Sequence, residues 1–288
     1  MASTRALKTR IRSVKNTKQI TKAMQLVAAS KMRRAQEADK ASAPYTQAAS
    51  ELLTYLASQG ATDEHPLFER RLVRNRLLIV VASDKGLAGA YNTNIIKQYV
   101  QALRSDAEEG AANSTIAIGR RAARFVSRLK DVEIVGVYED LSDRPNERDI
   151  RSILDTAVSK FTSGEVDAVD IVFTEFISSM TQAATMRRLL PAGFAVTDVS
   201  QSVKDAKYEP SASMILDTVA YRLLGAQLLQ ALLDARASEH NMRMIAMKNA
   251  TDNASDLVDD LTLEMNKVRQ GAITQELAEI SGGVEAMK

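Results

Sequence analysis

The chain contains no cysteine in its 288 residues, which excludes disulfides and thiolate metal centres outright. Histidine is almost as scarce. His65 and His240 are the only two, far apart in sequence, so a zinc site has little to be built from. Tryptophan is absent and aromatics make up 5% of the chain. Alanine and methionine supply much of the apolar volume instead, which suits long helices in close contact, because both are good helix formers and methionine fills irregular gaps. Long apolar runs are also missing. The longest centres on Leu77 to Ala82, against the ~20 consecutive apolar residues a membrane-spanning helix needs. The amino end carries charge from Arg5 onward and has no apolar core of the signal-peptide kind. It is Arg/Lys-rich and acid-poor, as transit peptides also are, but a helical pattern runs straight on from it and assigns it to the mature protein. These absences lead us to expect a soluble, cytosol-facing protein.

Acids are missing from one end of the chain. Between Met1 and Arg34 there are ten basic residues and no acid, whereas Thr251 to Lys288 holds eight acids and three bases. A basic arm means a solvated face or an anionic partner such as nucleic acid or a membrane surface. An acidic tail in the same chain offers a simpler expectation, that the two ends lie near each other and partly neutralise one another.

What is present divides the chain in three. Residues 1–59 hold one proline, Pro44, and no glycine before Gly60. Leu7, Ile11, Val14, Ile20, Met24 and Val27 recur at helical spacing, and the pattern continues to Leu56, so one long helix is expected, disturbed at Pro44. Gly60 to Pro66 carries turn chemistry and ends it. Residues 60–210 change character. Short β-branched runs (Arg76–Ala82, Thr115–Gly119, Val132–Tyr138, Ala168–Phe176, and a fifth over Ala183–Leu190) alternate with helical stretches over Thr93–Arg104, Arg120–Leu129 and Arg148–Ser163. Asn92 or Thr93 is a plausible N-cap for the first of these helices. This alternation predicts βαβ units around a mostly parallel sheet, a small Rossmann-like α/β domain. Residues 211–288 carry the clearest pattern. Steps of three and four residues from Leu216 run through Val219, Leu223, Ala226, Gln230, Leu233, Ala237, His240, Met244, Met247, Thr251, Ala254, Val258, Leu261, Met265, Val268 and Ala272, and only Gln230, His240 and Thr251 are polar. This 3.5-residue repeat marks a coiled-coil seam, with His240 a packing or register residue on it. The helix is expected to end at Gly282-Gly283 after about 65 residues, a rod on the order of 100 Å.

The fold class that follows is α plus α/β: a long antiparallel two-helix coiled coil from the termini, with the small α/β domain inserted between its arms. If the helices pair next to the inserted domain, residue n faces roughly residue 270 − n, and the last ~20 residues, about 30 Å of helix beyond Met265, stand alone. Val268, Ala272, Ile273, Leu277 and Ile280 give that end an apolar stripe, which marks a binding surface.

Catalytic patterns are missing too. Gly86 and Gly89 follow a strand, but the Walker spacing requires Gly-Lys-Ser/Thr and here Gly89 precedes Ala90 and Tyr91; the dinucleotide fingerprint is missing as well. Ser83, Asp84 and Lys85 have no histidine nearby in sequence. The loop reads as a structural turn. We expect no catalytic residue, no cofactor and no metal.

Four blocks carry a family resemblance. Ile20-Thr-Lys-Ala-Met-Gln-Leu-Val-Ala-Ala-Ser-Lys-Met32, Ser83-Asp-Lys-Gly-Leu-Ala-Gly-Ala-Tyr-Asn92, the stretch from Ala235 to Asn253, and the stretch from Asn266 to Ile280 resemble, in order, the N-terminal signature, the first strand-to-helix loop and the two C-terminal blocks of the gamma subunits of F-type ATP synthases. The resemblance implies a non-catalytic rotor shaft whose tip sits in a ring of three α and three β subunits. Its foot binds the epsilon subunit and the c-subunit ring, and ion flow turns ring and shaft together. It implies that Arg243, Gln270 and Thr274 contact a loop of the β subunit, that Met24 faces the acidic lever of the β subunit, and that Lys207, Tyr208 and Glu209 lie near foot positions touching the c ring. It also implies a peripheral protein on the cytoplasmic face of a bacterial plasma membrane, reaching the membrane only through the c ring, with no nucleic-acid partner. Read without the resemblance, the same residues also allow a static coiled-coil scaffold, a nucleic-acid binder using the basic arm, or a small nucleotide-binding enzyme. The second lacks interleaved aromatics and the third lacks phosphate-binding residues.

Overall fold

The computed structural model describes residues 4–62, 65–130, 132–143, 145–193, 196, 198–204 and 212–286. Helix α1 spans Thr4–Ser58 and runs through Pro44 without a break, although proline there withholds one backbone donor. A 3₁₀ turn follows at Pro66–Phe68, capped by the His65 ring, whose Nδ1 accepts the Leu67 N–H at 3.2 Å. Strand β1 (Asn75–Val81), helix α2 (Tyr91–Glu109), β2 (Ala112–Ile118), α3 (Arg120–Val126), β3 (Glu133–Tyr138), α4 (Glu147–Thr162), β4 (Ala168–Phe176) and β5 (Gln182–Leu190) come next. A single turn, α5 (Gln201–Lys204), precedes the last helix, α6 (Ala212–Ala286).

The five strands form one sheet in the order β3-β2-β1-β4-β5, parallel except for the antiparallel β4–β5 pair. β1 lies at its centre, and every residue from Leu77 to Val81 is buried. Side chains alternate between the two faces of a strand, and the core divides accordingly. Leu77, Ile79 and Val81 join Ile153, Leu154 and Phe161 of α4 and Ala220, Leu224, Leu228, Ala231 and Leu232 of α6. Leu78 and Val80 join Tyr91, Ile95 and Tyr99 of α2 and Val126 of α3. A strand covered on both faces has no polar side to show, which is why its sequence is a continuous apolar run. Part of α6 is therefore one of the helices covering the sheet, and a second face of α6 (Leu216, Leu223) packs on Leu53 and Leu56 of α1.

The chain divides into two compact units, one of Ala29–Met242 and one of Met1–Ala28 with Arg243–Lys288. The division falls inside both long helices, not at their ends. In the second unit α1 and α6 are antiparallel. Leu7, Ile11 and Leu261 are its buried core, with Val14, Val258, Met265 and Val268 packed on them. Lys18 Nζ donates to Ser255 Oγ at 2.9 Å, and the Thr21 and Thr251 hydroxyls meet at 2.8 Å. These partners pair n with 273 − n and 272 − n, close to the expected 270 − n.

Three expectations change. α6 continues through Gly282-Gly283 to Ala286. Glycine weakens a helix by only about 1 kcal/mol relative to alanine, and each further residue adds a backbone bond. α2 begins at Tyr91 with Ala90 at the cap and no side-chain cap bond, because the Asn92 side chain is occupied with Ser83. The basic segment is also not neutralised by α6. Among the described residues no ion pair joins Arg5 to Lys22 with the acids beyond Thr251; Arg5, Lys8, Arg10, Arg12, Lys15 and Lys22 are exposed, as are Asp252, Asp256, Asp259 and Asp260. On a two-helix pair these long polar side chains lie outside the apolar seam, where water already solvates them.

Candidate functional site: a polar collar around the last helix and a bare helical end

The loop after β1 shows what replaces phosphate chemistry. Ser83 N–H donates to Asn92 Oδ1 at 3.1 Å, and the Ser83 hydroxyl donates to the Lys85 carbonyl at 2.7 Å, closing the turn internally. Asp84 Oδ1 accepts the N–H of Arg120 at 3.1 Å and of Asp140 at 3.2 Å, so one carboxylate satisfies the backbone just beyond both β2 and β3. Its other oxygen faces Arg236 Nη2 of α6 at 3.4 Å. Gly119, at φ 88°, makes this junction possible: a Cβ there would stand 2.2 Å from the Ala82 carbonyl oxygen, a contact no side chain tolerates.

Arg236 opens a buried polar run along α6. Its guanidinium also donates to Glu239 Oε2 (3.0 Å) and to the Leu141 carbonyl (2.9 Å). One turn on, His240 Nε2 lies 3.2 Å from Asp143 Oδ1, and Lys31 Nζ of α1 lies 2.7 Å from Asp143 Oδ2. On the adjoining face Ser238 Oγ donates to the Thr174 carbonyl (3.2 Å) and Asn241 Nδ2 to the Ser179 carbonyl (2.8 Å). Arg236, Ser238, Glu239, His240 and Asn241 are all buried, which charged and amide groups accept only when paired. Burial alone would depress the Arg236 guanidinium; Glu239, Tyr91 and Asp84 outweigh it and hold it above its ordinary value. Burial would likewise raise Asp143, but Lys31 and His240 prevail and hold it below the usual carboxylate range. Two residues before Arg236, half-buried Asp234 is pushed up to about 7, first by burial and then by Asp39 of α1 and Glu175, with Arg187 opposing.

This collar sits at the carboxyl ends of β1, β3 and β4. In open α/β sheets that edge is the ligand crevice, at the point where strand order reverses. Here the order reverses between β1 and β4, and the loops beyond both strands bond α6. Side chains of the chain's own helix take the place a phosphate would need. A cleft of about 840 Å³ lies elsewhere, between α4 and α6. It has a floor of Ile150, Leu154, Ala226 and Leu229, and Arg148, Arg151 and Arg222 stand on its rim. Among the described residues no group of three or more His, Cys, Asp or Glu is placed to hold a metal ion, and no helix is long and apolar enough to cross a membrane.

The residues expected to contact partners do not form one site. Met24 and Arg243 are half-buried on facing helices of the smaller unit. Gln270 and Thr274 are exposed, with the Thr274 hydroxyl donating to the Gln270 carbonyl at 3.0 Å. Every residue from Arg269 to Ser281 is exposed, including Ile273, Leu277 and Ile280. Lys207, Tyr208 and Glu209 lie outside the described residues. Sequence reasoning placed Asp84 only in a structural turn and missed the parts of Arg236, Glu239 and Asp143. The available signal was the polar run Ser238-Glu-His-Asn241 inside an otherwise apolar repeat.

The family described as ATP synthase matches residues 3–287. The ATP synthase gamma chain of Stenotrophomonas maltophilia (strain R551-3) is 41% identical over 288 residues, covering 100% of both chains. That of Xanthomonas campestris pv. campestris (strain B100) is 40% identical over the same span and coverage. Among solved structures, the chain resembles one from the central stalk and c ring of the Tetrahymena thermophila mitochondrial ATP synthase, with a TM-score of 0.63, 21% identity and coverage of 80% of this chain and 99% of that one. It also resembles one from the Euglena gracilis mitochondrial ATP synthase, with a TM-score of 0.66, 16% identity and coverage of 99% and 94%. At these identities the two structures speak to the fold.

Proposed function

The chain belongs to the ATP synthase gamma chain family, and from that premise we propose that it is the turning central shaft of an F-type ATP synthase, coupling ion-driven rotation of a c ring to ATP synthesis and hydrolysis elsewhere in the complex. As a gamma chain it is a non-catalytic central-stalk subunit, in keeping with a sheet edge filled by its own helix. In this reading the end of α6 sits in a ring of three α and three β subunits. Met24, Arg243, Gln270 and Thr274 meet β-subunit loops, and residues around Lys207, Tyr208 and Glu209 meet the c ring, with the epsilon subunit bound nearby. The protein is peripheral, on the cytoplasmic face of a bacterial plasma membrane.

The observation that carries the reading is the exposed end of α6. Thirteen consecutive residues, Arg269 to Ser281, have no partner helix covering them, yet Ile273, Leu277 and Ile280 are large and apolar. A helix face of this kind is stable in water only at a cost and marks a surface that another protein covers. The uncompensated basic residues Lys8, Arg12, Lys15 and Lys22 add a positive stripe suited to acidic loops. A shaft drives a ring only if it contacts the ring's conformational states with different free energies, and a shaft of two unequal helices is asymmetric enough to do so.

The test is reconstitution. Mixed with α and β subunits, the chain should assemble a complex that hydrolyses ATP; failure to assemble would sink the proposal. Truncation after Val268 should weaken assembly or coupling while the sheet domain stays folded. Unchanged behaviour of the truncated chain would refute the bearing role of the tip.

A further inference from the structure

We propose that the collar fixes the rotational setting of α6, and through Lys31 of α1, against the sheet domain, with Arg236 and Asp143 as its positioning residues, so that torque entering through the domain reaches the helices without slip. This rests on the rotor reading above and adds the residues that carry the load.

The argument begins with what packing alone provides. α6 meets the sheet through Ala220, Leu224, Leu228, Ala231, Leu232 and Ala235. Apolar contact is non-directional, so a face of alanines and leucines keeps a helix on a sheet and resists turning only through its shape. Hydrogen bonds fall off steeply with angle, and those of the collar approach α6 from three loops. Asp84, after β1, faces Arg236; Leu141 and Asp143, after β3, hold Arg236 and His240; Ser179, after β4, holds Asn241. Arg236 and His240 are four residues apart and share a face, while Ser238 and Asn241 point to its flank. A helix gripped on two faces over about one and a half turns cannot rotate about its axis without breaking bonds on both.

Asp143 extends the grip to the second helix. Its two oxygens take different helices, Lys31 of α1 at 2.7 Å and His240 of α6 at 3.2 Å, so a single carboxylate sets the angle of both. Lys31 and His240 each lie two residues inside the limits of the larger unit, Ala29 and Met242. A clamp placed there acts on both helices at the level where they leave the sheet domain's own core. The burial pattern matches this role. Lys31 and Asp143 are 37% and 45% exposed at their side chains, and exposed pairs of this kind contribute little to stability. Arg236 and Glu239 are almost fully buried. Removing Asp143 therefore leaves the fold standing and weakens the setting, which separates positioning from folding.

The experiment uses the complete synthase reconstituted in lipid vesicles, with ATP hydrolysis and the ion gradient followed together as ATP drives pumping to steady state. Subunit stoichiometry is measured first. For Asp143→Ala and Arg236→Gln we expect hydrolysis to be retained without an opposing gradient while the steady-state gradient falls, because slip appears only under load. Asp143→Glu, which keeps a carboxylate in reach, should restore the gradient. If Arg236→Gln does not assemble, Asp143→Ala still decides the matter. A wild-type gradient in Asp143→Ala, or hydrolysis and gradient falling in equal proportion, overturns the clamp. A wild-type complex that builds no gradient at all overturns the rotor reading instead.

Discussion

Asp234 offers a test whose size follows from the structure. Its carboxyl is half-buried on α6, and burial, Asp39 and Glu175 push it from 3.8 up to about 7 against the pull of Arg187; Asp39 is itself raised by burial. The folded chain therefore holds a proton there that the unfolded chain has released. Stability depends on pH through the difference in bound protons. Here the folded state binds more, so the contribution of Asp234 is fully present below about pH 4, declines as pH rises, and is gone above about pH 7. The gap between 3.8 and about 7 corresponds to a ceiling of about 4 kcal/mol. Water entering beside a half-buried group and movement of Arg187 reduce this to ~1–2 kcal/mol. Asp234→Asn removes the ionisation while keeping the shape. Thermal unfolding across pH 4–8 should show the variant gaining on wild type as pH rises, with the two curves meeting near pH 4. Asp39→Asn should give part of the same gain, and the double variant less than the sum, because either change removes the same repulsion. A stability difference that does not vary with pH, or a variant weaker than wild type throughout, would show that the Asp234 carboxylate is needed by Arg187, and the reasoning would fail.

Asp84→Ala should destabilise the sheet domain by about 3 kcal/mol, since it strips the Arg120 and Asp140 N–H groups of their acceptor and weakens the pairing of a buried guanidinium; denaturant unfolding followed by circular dichroism measures it, and a loss below a few tenths would contradict the network. Leu261→Ala should cost about 2–4 kcal/mol as a truncation in a small core, confined to the smaller unit: hydrogen exchange should speed up around Leu7, Ile11 and Leu261 while β1 amides keep their protection. Equal acceleration in both units would deny that they are separate.

Much of this was legible, for reasons that differ by element. The register of the smaller unit came within a few residues because a heptad seam leaves one pairing that buries Leu7, Ile11 and Leu261 together. β1 was legible as a buried strand because both its faces are covered, leaving an apolar run too short for a helix. The second role of α6 was not. Between Leu216 and Ala235 the helix carries two apolar faces beside an exposed strip of Asp217, Thr218 and Arg222, and the heptad reading followed Leu216, Val219 and Leu223 along the seam while Ala220, Leu224, Leu228 and Leu232 were already committed to the sheet. An apolar surface wider than one seam buries more than one face, and that signal was in the sequence. The collar was out of reach for another reason. Arg236 and His240 find their partners in loops distant in the chain, and no local pattern pairs Asp84 or Asp143 with either.

The collar also explains how a sheet with a nucleotide-binding strand order serves as a mechanical part. The crevice at the carboxyl ends of parallel strands is useful to ligands because loops converge there with free backbone donors. In this chain the donors beyond β2 and β3, the Arg120 and Asp140 N–H groups, are taken by Asp84. The acceptors, Leu141, Thr174 and Ser179 carbonyls, are taken by α6. An incoming phosphate would find an aspartate where it needs amides, and would have to displace Arg236 from partners on three sides. The geometry that normally leaves a sheet open to a small molecule is thus spent on gripping a helix. A gripped helix, long enough to leave the domain and end bare, is what a shaft requires and what a nucleotide enzyme has no use for.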